Sequence, residues 1–451
     1  MATEHRQPVL QRWKDALGEP RRRWRGMNDR QRFQVGIVLR VVLIGVLFWI
    51  GWPLAILVAG LIAIQYATPY VPKRYAWATN AAIPLLILIV TVTYPFYNGS
   101  LPTMQVFGEF PTIETTVIMG VYVIMAIGLN IVVGYAGLLD LGYVAFYAMG
   151  AYTCAWFASV QFANHDIKIG AVSVGAETPG VHISIWALLI LAGILTAFIG
   201  IVIGLPTLRL RGDYLAIVTL GFGEILPQVA RNGDNLGGFN LTNGPNGITP
   251  IDPPGFGSLS YLSGSGSFFT GPRLFFWSVI VLVAITVFCS LRLRDSRLGR
   301  AWIAIREDET AAAAMGVPLM RTKTWAYATG AFFGGIAGAY FASFKSSTFP
   351  NDFNFNISAF ILSMVILGGM GNVWGVMFGA AFLAYLNQEG LANIGHALSI
   401  PDVPKYQFGI YGLIIVLTML LRPEGLIPSK RRRAEFREGV HDTPLYDTEM
   451  Q

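Results

Sequence analysis

Residues 183–204 read ISIWALLILAGILTAFIGIVIG, and this run decides the fold class. It holds no Asp, Glu, Lys or Arg, and a helix that crosses a bilayer needs about 20 mostly apolar residues. Similar runs recur along the chain, which is 54% hydrophobic and only 13% charged. This composition predicts an all-α, polytopic transmembrane helical bundle without a separate soluble domain.

About 10–12 spans are predicted, some of them broken or re-entrant. The segment 358–370 is short and glycine-rich, and Gly221, Gly223 and Pro227 predict an interruption in 214–230. The predicted segments are 35–52, 53–69, 75–96, 113–133, 143–162, 183–204, 214–230, 274–291, 322–344, 358–370, 372–388 and 405–421.

The basic residues predict how the bundle is oriented. Cytoplasmic loops carry an excess of Lys and Arg, and most of the 32 such residues fall in alternate segments that include both termini. The opposite loops hold only Lys168, Arg231, Arg273 and Lys345. Both termini are therefore predicted to be cytoplasmic, and the net charge of +6 needs no nucleic-acid partner to explain it.

The same pattern divides the chain into four parts. Residues 1–34 are predicted to form a basic cytoplasmic tail, which is too long and too arginine-rich for a signal peptide. Residues 35–110 form an N-terminal transmembrane extension, residues 111–428 the core domain, and residues 429–451 a second cytoplasmic tail.

Two glycine-rich stretches break the spans, GYAGLLDLG at 134–142 and GGMGN at 368–372. Irregular backbone is tolerated at membrane depth where it is buried in protein or lines a water-filled cavity, and paired breaks in a transporter indicate the substrate path. The alternative is a tight cytoplasmic turn between two helices. The predicted path residues are Asn130, Gly134, Gly137, Asp140, Glu224, Gly368, Gly369, Gly371 and Asn372.

Among these residues, Asp140 and Glu224 are candidate intramembrane carboxylates that could meet an ammonium group. For Asp140 the alternative is a residue at headgroup level in a turn. Glycines also recur at every fourth position, as in Gly330, Gly334 and Gly338. Such stripes of small residues predict close packing between membrane helices.

The polar segment 292–322 predicts a cytoplasmic helical hairpin. Within it, REDETAAAAMGVP at 306–318 places acidic residues at the start of an alanine-rich helix, which Gly316 ends and Pro318 prevents from continuing. A short helix held between two spans can dock into the groove of a partner. The alternative is a solvated connecting loop.

The sequence lacks the patterns of catalytic and metal sites. Cys154 and Cys289 lie in apolar runs, and no histidine stands at metal-ligand spacing from another His or Cys. No lysine follows a glycine, which excludes a P-loop. The chain is therefore predicted to be no enzyme and to contain no ATPase site, metal site or cofactor of its own.

Several stretches together resemble the LivM-type permease subunits of bacterial ABC importers for branched-chain amino acids, and the resemblance covers most of the chain. The N-terminal extension also resembles one found on LivM proteins of Gram-negative bacteria. The stretches that carry the resemblance are GYAGLLDLGYVAFYAMGAY at 134–152, LRLRGDYLAIVTLGFGE at 208–224, REDETAAAAMG at 306–316, LGGMGNVWGVMFG at 367–379 and LRPEGL at 421–426.

The resemblance implies import of leucine, isoleucine or valine across the inner membrane by alternating access. It implies four kinds of partner: a LivH-like permease subunit, two cytoplasmic ATPase subunits that use the ATP, a periplasmic amino acid binding protein and the lipid bilayer. It also implies that the hairpin contains the coupling helix, although Thr310 stands where the general pattern has Glu, with Glu309 one residue early. The residues assigned to the coupling helix are Arg306, Glu307, Asp308, Glu309, Ala311, Ala312 and Gly316.

Three other functions stay open. The first is a permease subunit for urea or short amides, because urea permeases resemble the same family. The N-terminal extension argues against this function. A self-sufficient secondary transporter or channel would also lack a P-loop, but the segment 306–316 argues against that reading. A membrane enzyme is the most distant alternative.

Overall fold

The computed structural model describes residues 90–98, 110–162, 167–170, 179–210, 213–235, 237–256, 271–400, 402–422 and 425–427. The predicted spans at 35–52 and 53–69, and most of the one at 75–96, lie outside these residues. The chain divides into two units, Met1–Gln105 and Val106–Gln451. In the first unit residues 90–97 are helical, and the second unit is a bundle of helices.

In the second unit a helix occupies each predicted span from residue 113 onward, which confirms the helical bundle. Two helices continue into π-helical turns, at Asn130–Tyr135 and Leu386–Gly390. The helices are α1 (Ile113–Leu129), α2 (Val144–Phe157), α3 (Ile185–Thr207), α4 (Asp213–Arg231), α5 (Gly271–Asp295), α6 (Arg297–Glu307), α7 (Glu309–Ala314), α8 (Leu319–Lys345), α9 (Phe355–Gly368), α10 (Val373–Tyr385), α11 (Leu391–Ala397) and α12 (Gln407–Leu421).

Four helical stretches among the described residues are long and apolar enough to cross a membrane: Ile113–Tyr135, Ile185–Thr207, Gly271–Asp295 and Val403–Leu421. Helix α9 is shorter, with 14 residues. At 1.5 Å per residue it extends about 20 Å, less than the roughly 30 Å of the hydrocarbon core. The partial span predicted at 358–370 therefore corresponds to a short helix.

Helix α8 packs against α1, α2 and α3 and forms the centre of the bundle. A Cβ atom at Gly338 of α8 would overlap the carbonyl oxygen of Tyr147 on α2. From the facing helix, a Cβ at Gly150 would overlap the carbonyl oxygen of Gly335. Close backbone approach through small residues supplies much of the packing between membrane helices, so the packing role predicted for the glycine stripe that includes Gly338 is confirmed.

Helices α9 and α10 pack against each other across the break at 369–372. A Cβ at Gly379 of α10 would come 2.7 Å from Cα of Gly368 on α9, and one at Gly375 would overlap the carbonyl oxygen of Gly368. The chain therefore reverses direction between the two helices in a tight turn. Helix α10 also packs along α1, which brings this turn close to the end of α1.

The structure corrects two predictions. Helix α4 runs without interruption through Pro227, because a membrane helix tolerates proline where neighbours satisfy the freed backbone groups. Phe162 to Gly180 separates two predicted spans, and its sequence predicts an irregular external loop, but the stretch contains a strand of a three-stranded sheet. The strands β1 (Ala158–Ser159), β2 (Ile167–Ile169) and β3 (Val181–Ile183) lie in the order β1-β3-β2, with β1 antiparallel and β2 parallel to β3. Strands this short leave no readable period in the sequence.

Candidate translocation and coupling site

The two glycine-rich breaks are joined by one buried side chain. Asn130 opens the π-helical turn that ends α1, and its Oδ1 accepts a hydrogen bond from the amide of Gly371 at 2.8 Å. The two residues are 241 positions apart in the chain. Turns of π-helix inside α-helices are frequent at functional sites, and here the turn brings Asn130 to the second break.

Arg306, near the end of α6, reaches the same place. Its Nη1 donates a hydrogen bond to the carbonyl oxygen of Gly134. A Cβ at Gly137 would come 2.8 Å from its Cγ, and one at Gly371 would come 3.2 Å from its Nη1. Both glycines have positive φ angles, +70° and +85°, a backbone conformation that residues with a side chain rarely adopt. Three predicted path residues, Gly134, Gly137 and Gly371, therefore lie against the side chain of Arg306, and Asn130 is bonded to one of them, Gly371.

Asp140 lies in the first break with only 1% of its surface exposed. Its Oδ1 accepts a hydrogen bond from the amide of Gly142 at 2.9 Å, and it interacts with Tyr327 of α8 and Thr219 of α4. The hydroxyl of Thr219 also accepts a hydrogen bond from the amide of Leu141 at 3.1 Å. Asp140 is thus enclosed by the break and by two helices, and a ligand cannot reach it in this conformation.

Glu224 is placed differently, because its side chain is exposed on α4. The same face of the helix exposes Ile217 and Ile225. The preceding residue, Gly223, faces the bundle, where its Cβ position lies 3.1 Å from Cα of Gly142. Glu224 is therefore the next residue after one that contacts the first break, but its side chain points away from the bundle of its own chain.

The second break is covered by the segment 425–427. The amide of Ile427 donates to the carbonyl oxygen of Gly368 at 3.2 Å, and Nδ2 of Asn372 donates to the carbonyl oxygen of Ile427 at 2.7 Å. Gly369 lies against Gly425, whose added Cβ would come 2.5 Å from Cα of Gly369. Gly368 and Gly369 are therefore buried between backbone segments.

The predicted hairpin consists of two helices separated by Asp308. Arg306 and Glu307 end α6, and the carboxylate of Asp308 begins α7 by accepting hydrogen bonds from the amides of Thr310 (2.7 Å) and Ala311 (3.0 Å). The amides of Ala311 and then Thr310 hold the pKa of Asp308 below its usual value. The residues predicted to form one coupling helix thus belong to two.

The end of α7 is formed as predicted. Gly316 has a φ of +84°, and the amide of Val317 donates to the carbonyl oxygen of Ala312 at 3.1 Å. A glycine in this conformation commonly ends a helix. The surface next to this turn is formed by small side chains and by Met315, which is 85% exposed.

Two contacts fasten the hairpin to the start of α8. The buried indole of Trp302 donates from Nε1 to the carbonyl oxygen of Thr322 at 2.8 Å. Glu309 accepts a hydrogen bond from Nζ of Lys323 at 2.7 Å. Lys323 is almost fully buried, with 6% of its side chain exposed, whereas Glu309 retains 30%.

Residues 112–419 match the family described as the permease component of the branched-chain amino acid transport system. The chain belongs to this permease family. It is 35% identical over 369 residues to the high-affinity branched-chain amino acid transport system permease protein LivM of Escherichia coli K12, a match that covers 78% of this chain and 76% of that protein.

More distant relatives extend the comparison. The chain is 29% identical over 338 residues to the probable LivM permease protein of Methanocaldococcus jannaschii, covering 69% of this chain and 91% of that protein. It is 24% identical over 314 residues to the permease protein LivH of Salmonella typhimurium, covering 68% and 91%. No solved structure matches the chain. With its apolar helices, membership of this family makes the chain an integral membrane transport subunit.

The Glu309–Lys323 pair leads to a stability prediction for this permease. Removing one partner of a fully buried ion pair costs about 3–5 kcal/mol, and the exposure of Glu309 reduces this to roughly 1–2 kcal/mol. We expect Glu309→Gln to lower the melting temperature of the purified permease in detergent. We expect Lys323→Met in the same chain to restore it, because no uncompensated buried charge then remains.

The pair Asp402–Lys405 supplies the control. Its N–O distance is 2.6 Å, but its side chains are 57% and 75% exposed. Such exposed pairs contribute about 0–1 kcal/mol, so Asp402→Asn is expected to leave the melting temperature unchanged. If Glu309→Gln also left it unchanged, the ion pair would not hold the hairpin to α8.

Two further contacts of the permease were not anticipated from the sequence. Glu389, in the second π-helical turn, accepts hydrogen bonds from the hydroxyls of Thr112 (2.8 Å) and Thr115 (2.5 Å) and so ties α10 to the start of α1. Nδ1 of His182 on β3 pairs with Oδ2 of Asp252 at 2.7 Å. Burial raises the pKa of Asp252 above its usual value, although the hydrogen bond and charge of the histidine act in the opposite direction. These partners lie far apart in sequence, so no local pattern indicates them. Across the described part of the chain, no three His, Cys, Asp or Glu side chains are grouped to hold a metal ion.

Proposed function

We propose that this permease imports leucine, isoleucine or valine across the bacterial inner membrane by alternating access. Two cytoplasmic ATPase subunits supply the energy, a LivH-like permease completes the path and a periplasmic binding protein delivers the amino acid. Both termini lie in the cytoplasm, and the chain itself binds no cofactor. The names of its LivM relatives support the substrate class.

The exposed carboxylate of Glu224 carries this proposal. A charged side chain at the centre of a membrane helix costs at least about 2.5 kcal/mol by insertion scales, so the face of α4 that exposes it does not face lipid. We infer that the LivH-like subunit covers this face and that the substrate passes between the two permeases. Glu224 then meets the α-ammonium group, while Ile217 and Ile225 contact the branched side chain.

In this proposal the first glycine break packs against the side of α4 that faces the bundle. Gly223 packs on Gly142 of the first break, so a shift of the break moves the helix that carries Glu224. Of the two carboxylates among the predicted path residues, Glu224 is exposed and Asp140 is buried. We therefore assign the breaks and Asp140 to the movement of the path and Glu224 to contact with the substrate.

The hairpin end of the molecule is proposed to dock on an ATPase subunit. The exposed surface of α7 consists of small side chains beside Met315, namely Ala311, Ala313 and Ala314. The helix can therefore lie close against the walls of a groove on the ATPase subunit. Methionine is flexible and adapts to irregular apolar pockets. Asp308 and Gly316 fix both ends of α7 and hold this surface in shape.

Glu224→Gln tests the path. Hydrogen bonds to charged groups contribute about 1.5–3 kcal/mol, so we expect uptake of labelled leucine by the full complex in proteoliposomes to fall at least about tenfold. Co-purification of the partner subunits should be unchanged. The matched control is Glu114→Gln, an exposed carboxylate in the first turn of α1, which should transport leucine like the unchanged permease.

The same vesicles separate the competing functions. Uptake of urea in place of leucine would assign the permease to amides, and leucine uptake without ATP would indicate a self-sufficient transporter. Equal leucine uptake by the Glu224→Gln and unchanged permeases would remove α4 from the path.

A further inference from the structure

Arg306 is the point at which the hairpin touches both glycine breaks. Its Nη1 donates to the carbonyl oxygen of Gly134, and its Cγ lies over Gly137 in the first break. The same nitrogen lies beside Gly371 in the second break. Carbonyl groups at the end of a helix lack intrahelical partners, and the guanidinium supplies one to the end of the π-helical turn.

The two breaks are also joined to each other at this point. The side chain of Asn130, in the same turn as Gly134, accepts a hydrogen bond from the amide of Gly371. A displacement of Arg306 therefore acts on backbone that is already connected across the two breaks.

On its other side, Arg306 extends from a firmly held helix. Trp302, one turn earlier on α6, is buried and bonded to the backbone of Thr322. Glu309 pairs with Lys323 across the same junction. The hairpin and the start of α8 therefore hold the base of the Arg306 side chain in place.

We propose that Arg306 is a positioning residue that transmits displacement of the hairpin to both glycine breaks at once. This inference rests on the proposed function, in which an ATPase subunit displaces the hairpin. The planar guanidinium presents several donors in a fixed arrangement, whereas a lysine ammonium is a compact charge on a flexible stem. Arg306→Lys should therefore transmit the displacement less well than arginine, and Arg306→Gln should not transmit it.

Cysteine reporters in the two breaks test this without any amino acid substrate. Leu139→Cys reports on the first break and Met370→Cys on the second, in a chain whose Cys154 and Cys289 are replaced by alanine. The complex with its ATPases is placed in nanodiscs, and the maleimide labelling rate is measured with and without ATP and vanadate. We expect the rate at each reporter to change at least about fivefold, the lower range of coupling factors between sites. In Arg306→Gln both changes should disappear, and in Arg306→Lys both should be reduced.

The control is Arg300→Gln on the same helix. Arg300 is exposed and also donates to a backbone carbonyl oxygen, that of Asp295 at 2.8 Å, so it matches the chemistry away from the breaks. The Arg300→Gln variant should leave the nucleotide response at both cysteine reporters intact. A nucleotide response that persists at either reporter in Arg306→Gln overturns the proposal, and so does a full response at both in Arg306→Lys if the glutamine variant does not fold.

The outcome also distinguishes this proposal from the proposed function. Reporters that respond in a complex unable to take up leucine would reject the substrate and leave the role of Arg306 in place. Reporters that ignore nucleotide in the unchanged complex would overturn both the role of Arg306 and ATP-driven coupling.

Discussion

Gly338→Leu is expected to abolish the folded permease. A Cβ at this position already overlaps the carbonyl oxygen of Tyr147, and the amide nitrogen of Ala151 would lie 3.0 Å away. Both contacts are with the backbone of α2, which cannot rotate aside as a side chain can. Overpacking of a core typically costs about 1–3 kcal/mol, and separating two helices at their closest point should exceed that. Size-exclusion chromatography in detergent should show aggregated protein in place of the folded peak.

Gly412→Leu on α12 is the matched control. It makes the same substitution in an apolar helix, but no atom lies within 4 Å of its Cβ position. Substitutions at such surface sites usually change stability by less than about 0.5 kcal/mol, and the variant should elute as a folded protein. A folded peak for Gly338→Leu would mean that α2 and α8 can separate without loss of the bundle.

From residue 113 onward the sequence predicted the helices well, because most spans are long apolar runs bounded by polar or glycine-rich residues. The packing role of the glycine stripe of α8 could also be predicted, because regular spacing along one helix indicates one packed face. The end of α7 at Gly316 followed from the same local chemistry. Such features depend on neighbouring residues, and a single sequence contains them in full.

The arrangement of the site was less predictable because it depends on contacts between distant segments. Gly134, Gly137 and Gly371 were identified as special, but nothing in their spacing indicated that Arg306 lies against them all. The exposure of Glu224 could not be predicted from the sequence either, because Gly223 and Pro227 suggested a break where α4 is continuous. Lys323 is the second residue of the predicted span 322–344, and nothing in the sequence around it indicates that Glu309 is its partner.

Gly371→Leu is expected to reduce leucine uptake at least about tenfold while the permease still assembles with its partners. A side chain there meets Nη1 of Arg306 at 3.2 Å from the Cβ and the carbonyl oxygen of Gly134 at 3.3 Å. A leucine must therefore push the guanidinium away from Gly134. The positive φ of +85° adds about 1–2 kcal/mol of backbone strain, which lowers stability but does not by itself affect coupling. Uptake in proteoliposomes and the melting temperature measure the two effects separately.

Gly238→Leu separates strain from displacement of Arg306. Gly238 has a φ of +89° and no atom within 4 Å of its Cβ position, so leucine there carries similar strain without a neighbour to displace. Its melting temperature should fall as in Gly371→Leu, with uptake retained. The double variant Gly371→Leu/Arg306→Gln should transport no worse than Arg306→Gln alone, because residues that act through one contact are not additive. Independent losses that multiply would show that Gly371 affects the path by a route that does not pass through Arg306.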